Sequence, residues 1–479
     1  MKRNLLIYLF MVILAGVGFF GILHLGNQLA PPSLAAAPAH SIHPAQSIFS
    51  GVRAGLLQNA ANPAPRLFLQ LLVIIGVSHL AGSAFARCGQ PAVIGEMVAG
   101  ILLGPSVFGL IEPGAFQFVF PPSSMGALQL FSQIGVCLFL FSVGMDLDVS
   151  HVRKNIQTTV VVSHASIVIP YFLGMALALL LYRGFAQPGA SFLSFALFMG
   201  ISMSITAFPV LARILQERNL SRTALGAAAI ACAAVDDVTA WSLLAIVVAV
   251  ARAASVPAAG CILLLSLLFV ALMLFAIKPR LPRWLGGADA LEQAEPGKGR
   301  LAVVVMVVLL SSLATEVIGI HALFGAFLAG AIMPAAGCFR DKLRVRVESF
   351  SSVLLLPLFF AFTGLRTQFG LLHGAQAWLI CGGIILVATL GKLGGGSLTA
   401  RLTGMPWREA LQLGALMNTR GLMELIALNV GYDLGILSPR IFTMLVVMAL
   451  VTTAMTGPLL TLFGKSCKLP ASLLQPIST

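Results

Sequence analysis

From residue 67 onward the chain alternates long apolar runs with short polar connections. The runs are hydrophobic all round, with neither the one-sided stripe of a surface helix nor the alternation of a half-buried strand. Runs of about 20 apolar residues have the length that carries a helix across a bilayer. Thirteen such segments are expected near 67–86, 91–111, 126–145, 158–182, 191–215, 223–250, 257–278, 301–318, 321–336, 350–369, 375–398, 408–431 and 440–463. The 321–336 segment is short, so it can be broken or re-entrant. An earlier apolar run from Leu5 to Leu23 follows Lys2 and Arg3 and precedes Pro31, Pro32 and an Ala-rich stretch. Residues 1–25 therefore read as a signal peptide or an extra span. Residues 26–65, rich in Ala, Pro and His, read as an extracytoplasmic linker.

Composition agrees with this pattern. The 479 residues are 58% hydrophobic and only 9% charged, against roughly 25% charged in soluble domains. The fold class is an all-α polytopic membrane protein. The net charge of +13 raises the possibility of a nucleic-acid partner, but the distribution of the basic residues assigns them to membrane topology. Arg183, Arg252, Arg366 and Arg440 fall on one side of the thirteen spans. Arg87, Arg153, Lys154 and the clusters 213–222, 278–300, 340–346, 401–408 and 465–468 fall on the other. The basic side is cytoplasmic by the positive-inside rule, as is the short tail 465–479. A bacterial inner membrane suits this arrangement. The polar loop 279–300 divides the chain into comparable halves, which permits the inverted repeats common in secondary transporters. The seven cysteines include no CxxC pair and read as packing residues. No cofactor motif is present.

Ionisable residues inside spans are the informative ones, because each costs at least about 2.5–3.5 kcal/mol at the centre of a helix. Asp236 and Asp237 stand in AAAIACAAVDDVTAWSLLAIVVAV. Adjacent helical residues point about 100° apart, so one carboxylate can face a water-filled cavity while the other faces a neighbouring helix. The alternative is a static buried pair. Lys392, in LICGGIILVATLGKLGGGSL, is the natural counter-charge among glycines that admit a close neighbour, unless it snorkels to the cytoplasmic surface. Arg420 and Glu424, four apart, can pair along one helix face. Arg420, which does not lose its proton, reads as a structural clamp. Two segments read as broken helices. In FMGISMSITAFPVLARIL, Pro209 removes a backbone donor where Ser202, Ser204 and Thr206 can offer oxygens; in LMNTRGLMELIALNVG, Asn418, Thr419 and Gly421 can do the same. Such breaks survive at membrane depth only when buried or lining a cavity, and in transporters they present helix ends and carbonyls to ions. Glu96 reads either as lining a cytoplasmic vestibule or as interfacial. Asp146 and Asp148 read as a helix end at the membrane surface, Glu316 and His321 as solvated, and His79 and His164 as bonding between helices.

The motifs VDDVTAW, SITAFPVLARIL, GEMVAGILLGPS and LMNTRGLMELIALNVG resemble the monovalent cation/proton antiporter superfamily, in particular the plant and fungal cation/proton exchangers and their bacterial relatives. The similarity covers roughly residues 66–464. It implies a sodium/proton antiporter-like fold in a homodimer, with a dimerisation domain and a mobile core in which two discontinuous helices cross. By motif, Asp237 would bind the monovalent cation or the proton, Asp236 would be its neighbour held by Lys392, and Thr206 with Pro209 would belong to one crossing helix. Asn418 to Gly421 would belong to the other. The pattern departs from many sodium/proton antiporters in placing Leu422 and Met423 between Gly421 and Glu424, and the long soluble tail of the eukaryotic exchangers is not seen after Gly464.

The implied activity is exchange of Na⁺ or K⁺ for H⁺: a carboxylate that takes either a proton or a dehydrated cation, but not both, couples the two flows when exposed alternately to the two faces. The sequence leaves three rivals. One is a gated potassium efflux system of the same superfamily, which would need a separate regulatory partner. A second is an intramembrane aspartyl protease, which needs aspartates on two helices and a GxGD motif that this chain lacks. A third is a receptor or scaffold that keeps the spans but has no need of Lys392 or Asp237.

Overall fold

The structure is a computed structural model describing residues 55–146, 156–220, 223–253, 256–287, 297–334 and 339–464, apart from 57 and 61. The chain divides into units 1–60 and 61–479. Of the first, only a few helical residues after 54 are described; the helical bundle belongs to the second. The expectations for residues 1–25, for most of 26–65, for Asp148 and for the tail 465–479 lie outside the described residues, as does the Asp146 side chain.

Among the described residues the secondary structure is helical, with no strand beyond one isolated bridge between Ala186 and Leu437. A bilayer cannot satisfy exposed backbone groups, so a helix, which pairs its own, is the form these apolar runs take. The first three helices are α1 (Pro63–Arg87), α2 (Ala92–Leu103, extended by a turn to Ile111) and α3 (Met125–Asp146). They are followed by α4 (Ile156–Phe185), α5 (Phe192–Ser204), α6 (Phe208–Glu217) and α7 (Ala224–Arg252). Next come α8 (Val256–Ala271, continuing through a π turn to Trp284), α9 (Lys298–Ile318) and α10 (Ala322–Ala331). Then α11 (Phe339–Phe350) leads through a π turn into α12 (Leu356–Arg366). Another π turn, Leu390–Gly394, joins α13 (Gly374–Thr389) to α14 (Gly395–Leu402). The chain closes with α15 (Trp407–Met417), α16 (Leu422–Asp433) and α17 (Pro439–Gly464).

Among the described residues, eleven helical segments are long and apolar enough to cross a membrane. The segments expected at 321–336 and 408–431 form shorter helices: α10, and the pair α15 and α16. Helix packing sorts the bundle into two groups. The first comprises α4 to α7 and α13 to α17, and the second α1, α2, α3, α9, α10, α11 and α12. The polar residues of interest lie chiefly in the first group, against buried side chains such as Phe195, Phe198, Met199, Phe442 and Leu445.

Glycine sets the closest approach in the second group. A Cβ added at Gly364 on α12 would overlap the backbone carbonyl carbon and oxygen of Gly100 on α2. Both contacts are backbone, so neither can move aside by changing rotamer. Gly364→Ala is expected to cost more than the roughly 1–3 kcal/mol of ordinary overpacking. A lowered thermal midpoint of the detergent-solubilised protein would show it, and an unchanged midpoint would contradict the contact.

Candidate functional site

Helix α5 ends at Ser204 because residues 205–207 leave the helical conformation, and α6 restarts at Phe208. Pro209 lies in the first turn of α6, where a missing N–H costs nothing. The break therefore precedes the proline instead of being opened by it. The second break runs from Asn418 to Gly421, between α15 and α16. Gly421 has φ +155° and ψ −131°, a conformation open to glycine. A Cβ there would also meet Val210 of α6 at 3.0 Å.

The two breaks touch. The Ala207 N–H donates to the Thr419 carbonyl at 2.9 Å. Arg420 reaches from the second break to the end of α5, donating to the carbonyls of Ser202 and Met203, each at 2.7 Å. Those are among the last carbonyls of a helix that ends without internal donors for them. The same guanidinium pairs with Glu424 at 3.1 Å, both side chains fully buried. Threonines of α17 hold the other side: Thr453 accepts from the Arg420 N–H and donates to its carbonyl, and Thr456 bonds Thr419. Arg420, expected from the sequence to be a clamp, is the residue that makes these contacts.

Asp236 and Asp237, midway along α7, are treated very differently. Asp236 accepts hydrogen bonds from Ser163 and Ser166 of α4 and from Thr206, the last at 2.6 Å. Lys392, in the π turn between α13 and α14, contacts Asp236 Oδ2 at 3.1 Å and donates to Thr206 and Ser166. Both side chains of this pair have no exposure to solvent, so Lys392 does not snorkel. Asp237 is also buried, yet neither of its carboxylate oxygens has a hydrogen-bonding partner. The Phe208 N–H at the start of α6 interacts with it without completing a bond. Asp237 lines a small cavity with Ile205, Ala240, Trp241, Leu244 and Met423. Asn418, at the second break, is likewise buried with both polar side-chain atoms unpartnered. A buried polar atom without a partner is costly, and oxygen atoms held in this way suit a proton or a small cation.

Other expectations fare less evenly. Glu96 on α2 interacts with Arg213 of α6 and is not among the partners of Asp236 or Lys392. His321 is not solvated: its side chain is 13% exposed, whereas that of Glu316 is 46% exposed and paired with Arg252. His79 and His164 are exposed on outer helix faces, and His164 bonds Val160 of its own helix; neither links helices. Sequence reading overlooked Ser163 and Ser166, whose spacing of three in VVVSHASIVIP puts both on one helix face. It also passed over the threonine-rich VTTAMTG of α17.

Residues 72–465 match the family model for the sodium/hydrogen exchanger, transmembrane. This chain belongs to the sodium/hydrogen exchanger family. It is 42% identical to the Na(+)/H(+) antiporter NhaS4 of Synechocystis over 82% of this chain and 96% of that one. It is 40% identical to cation/H(+) antiporter 20 of Arabidopsis thaliana over 82% of this chain and 48% of that one. The K(+)/H(+) antiporter 1 of Saccharomyces cerevisiae is 34% identical over 84% of this chain and 46% of its own length. The chain thus spans about half the length of these plant and yeast relatives. The sodium proton antiporter MjNhaP1 of Methanocaldococcus jannaschii has the same fold, with a TM-score of 0.51 over 83% of this chain and 96% of that one at 16% identity.

Proposed function

We propose that this chain is a secondary antiporter exchanging a monovalent cation, Na⁺ or K⁺, for H⁺ across the membrane in which it is embedded, with both ions competing for Asp237. The observation that carries this reading is the asymmetry of the carboxylate pair: Asp236 is saturated by Lys392, Thr206, Ser163 and Ser166, while Asp237 keeps both oxygens unpartnered. Asp237 then takes a proton or a partly dehydrated cation, with Asn418 as a further oxygen donor at the crossing. Lys392 and Asp236 hold α4, α7 and the π turn in register around it. Arg420 and Glu424 keep the breaks together. Motion of the first helix group against the second carries the site between the two faces, as alternating access requires.

In this reading residues 66–464 form the transport domain, residues 1–25 a signal peptide or additional span, and residues 26–65 an extracytoplasmic linker. The concentration of Lys and Arg at one end of the spans supports a bacterial inner membrane with that end, and the C-terminus, in the cytoplasm. Two copies associate as a homodimer, in keeping with the resemblance. The sodium and potassium named for the relatives support both cations as substrates.

The test uses purified protein in liposomes carrying a fluorescent pH reporter. Na⁺ or K⁺ added outside acid-loaded vesicles is expected to alkalinise the lumen. Where the proton dominates the site, the half-saturating cation concentration is expected to rise about tenfold for each unit by which pH falls, as competition for one site demands. Absence of cation-dependent proton movement would overturn the proposal. A half-saturation independent of pH would overturn the shared site.

A further inference from the structure

At the end of the bundle that carries Arg252 and Arg366, charged groups tie the two helix groups together. Arg366, the last residue of α12, pairs with Asp433, the last residue of α16, at 2.7 Å and donates to Asn429 at 2.9 Å. Its guanidinium lies over the rings of Phe362 and Tyr432, 4.1 and 5.0 Å from their centroids. Separately, Arg252, the last residue of α7, pairs with Glu316 of α9 at 3.4 Å. The other Glu316 oxygen accepts the Ala322 N–H at the start of α10, at 2.8 Å. Helices α7 and α16 belong to the first group, and α9, α10 and α12 to the second. A cavity of about 460 Å³ lies here, lined by Arg252, Glu316 and Asp433 together with Gln129, Gln133 and His321.

Between this cavity and Asp237, helix α7 carries Trp241. Arg252 lies fifteen residues beyond Asp237 on α7, about 22 Å of helix rise. Trp241, one turn beyond Asp237 in the same direction, lines the Asp237 cavity and is 5% exposed. Its ring meets those of Phe324 and Phe327 on α10, with centroids 5.5 and 6.1 Å apart. Aromatic side chains from opposing helix groups thus separate Asp237 from the polar cavity.

The geometry points to a two-layer gate that closes Asp237 to this face of the membrane: an inner aromatic plug of Trp241 against α10, and an outer latch of Arg366–Asp433 and Arg252–Glu316. This inference rests on the proposed exchange and adds the residues that determine to which face the site opens. Partly exposed ion pairs are weak, which suits contacts that must break once per cycle. The plug excludes water while the latch holds the two helix groups together.

The test labels a thiol at the site from the Arg252 side with a membrane-impermeant maleimide. All seven native cysteines are replaced and Met423→Cys, beside Asp237, is introduced. In this parent, labelling from the Arg252 side is expected to be slow. Combining Arg366→Gln with Glu316→Gln is expected to speed it about tenfold, the combined effect of losing two such pairs, and Trp241→Ala to speed it as well. High salt on that side, which needs no further substitution, is expected to speed labelling of the parent by screening the pairs and to have less effect once both are removed. Rapid labelling of the parent, or rates unmoved by the substitutions and by salt, would overturn the gate. Labelling needs no ion exchange. A responsive thiol in a protein that exchanges no ions would refute the antiport reading alone, and an unresponsive thiol in an active exchanger would refute the gate alone.

Discussion

Asp237→Asn is expected to abolish cation-driven proton movement, reducing it to the leak of protein-free vesicles, while the protein still folds. Asparagine has nearly the shape of aspartate but carries no exchangeable carboxyl proton and no charge to bind a cation. The loss should therefore be complete for both ions, without the residual rate that a weakened site would leave. Stability should not fall. The carboxylate is buried without a hydrogen-bonding side-chain partner, so an amide of the same shape breaks no side-chain contact. It keeps an oxygen that the Phe208 N–H can approach, and replaces one buried polar group by another without a charge to desolvate. The paired measurements are the liposome exchange assay and the thermal midpoint of the solubilised protein. Exchange at the wild-type rate would place the transported ions elsewhere. A large fall in the midpoint would mean that Asp237 makes a structural contact after all.

Arg420→Gln is expected to have the largest effect on stability. Arg420 supplies the hydrogen bonds to the Ser202 and Met203 carbonyls and the counter-charge of Glu424, and it is the bulkiest side chain among those fully buried. Glutamine is too short to reach across the crossing and leaves the Glu424 carboxylate buried and unpaired. Breaking a buried pair by removing one partner costs about 3–5 kcal/mol, and two uncapped carbonyls add to it. The expected outcome is a markedly lower thermal midpoint with exchange lost. Adding Glu424→Gln to Arg420→Gln should recover part of the midpoint, because no charge is then left alone. A single variant as stable as wild type would show that the breaks hold together without the clamp. A double variant no more stable than the single would show that the carbonyls, and not the charge, dominate.

The membrane class, most of the spans, the two interruptions and the ionisable residues inside the spans were legible in the chain alone, whereas Ser163, Ser166 and the threonines of α17 that partner them were not. The reason is cost: an ionisable side chain in a twenty-residue apolar run is too expensive to be accidental, so Asp236, Asp237, Lys392, Arg420 and Glu424 stood out without any structure. The Arg420–Glu424 pair was legible because it is local, a spacing of four on one helix. The motifs around these residues also carried the family resemblance. Pro209 was legible as a helix-break signal, although the chain uses it to start α6 after the break and not to make the break itself.

Only the folded bundle shows which helices become neighbours, and several features of the site depend on that. The helical period puts Asp236 and Asp237 on different faces, but the placement of α4 beside α7 is what brings Ser163 and Ser166 to Asp236 and leaves Asp237 without a side-chain partner. The reach of Arg420 to Ser202 and Met203 spans more than two hundred residues, and the Arg366–Asp433 and Arg252–Glu316 pairs join helices far apart in the chain. His79 and His164 illustrate the converse. An apolar run that faces lipid and one that faces protein have the same composition, so no local pattern could assign those side chains to the outer surface. Periodicity and desolvation cost are properties of a segment. The choice of partner for a buried charge is a property of the packing, and it is the packing that separates the two adjacent aspartates.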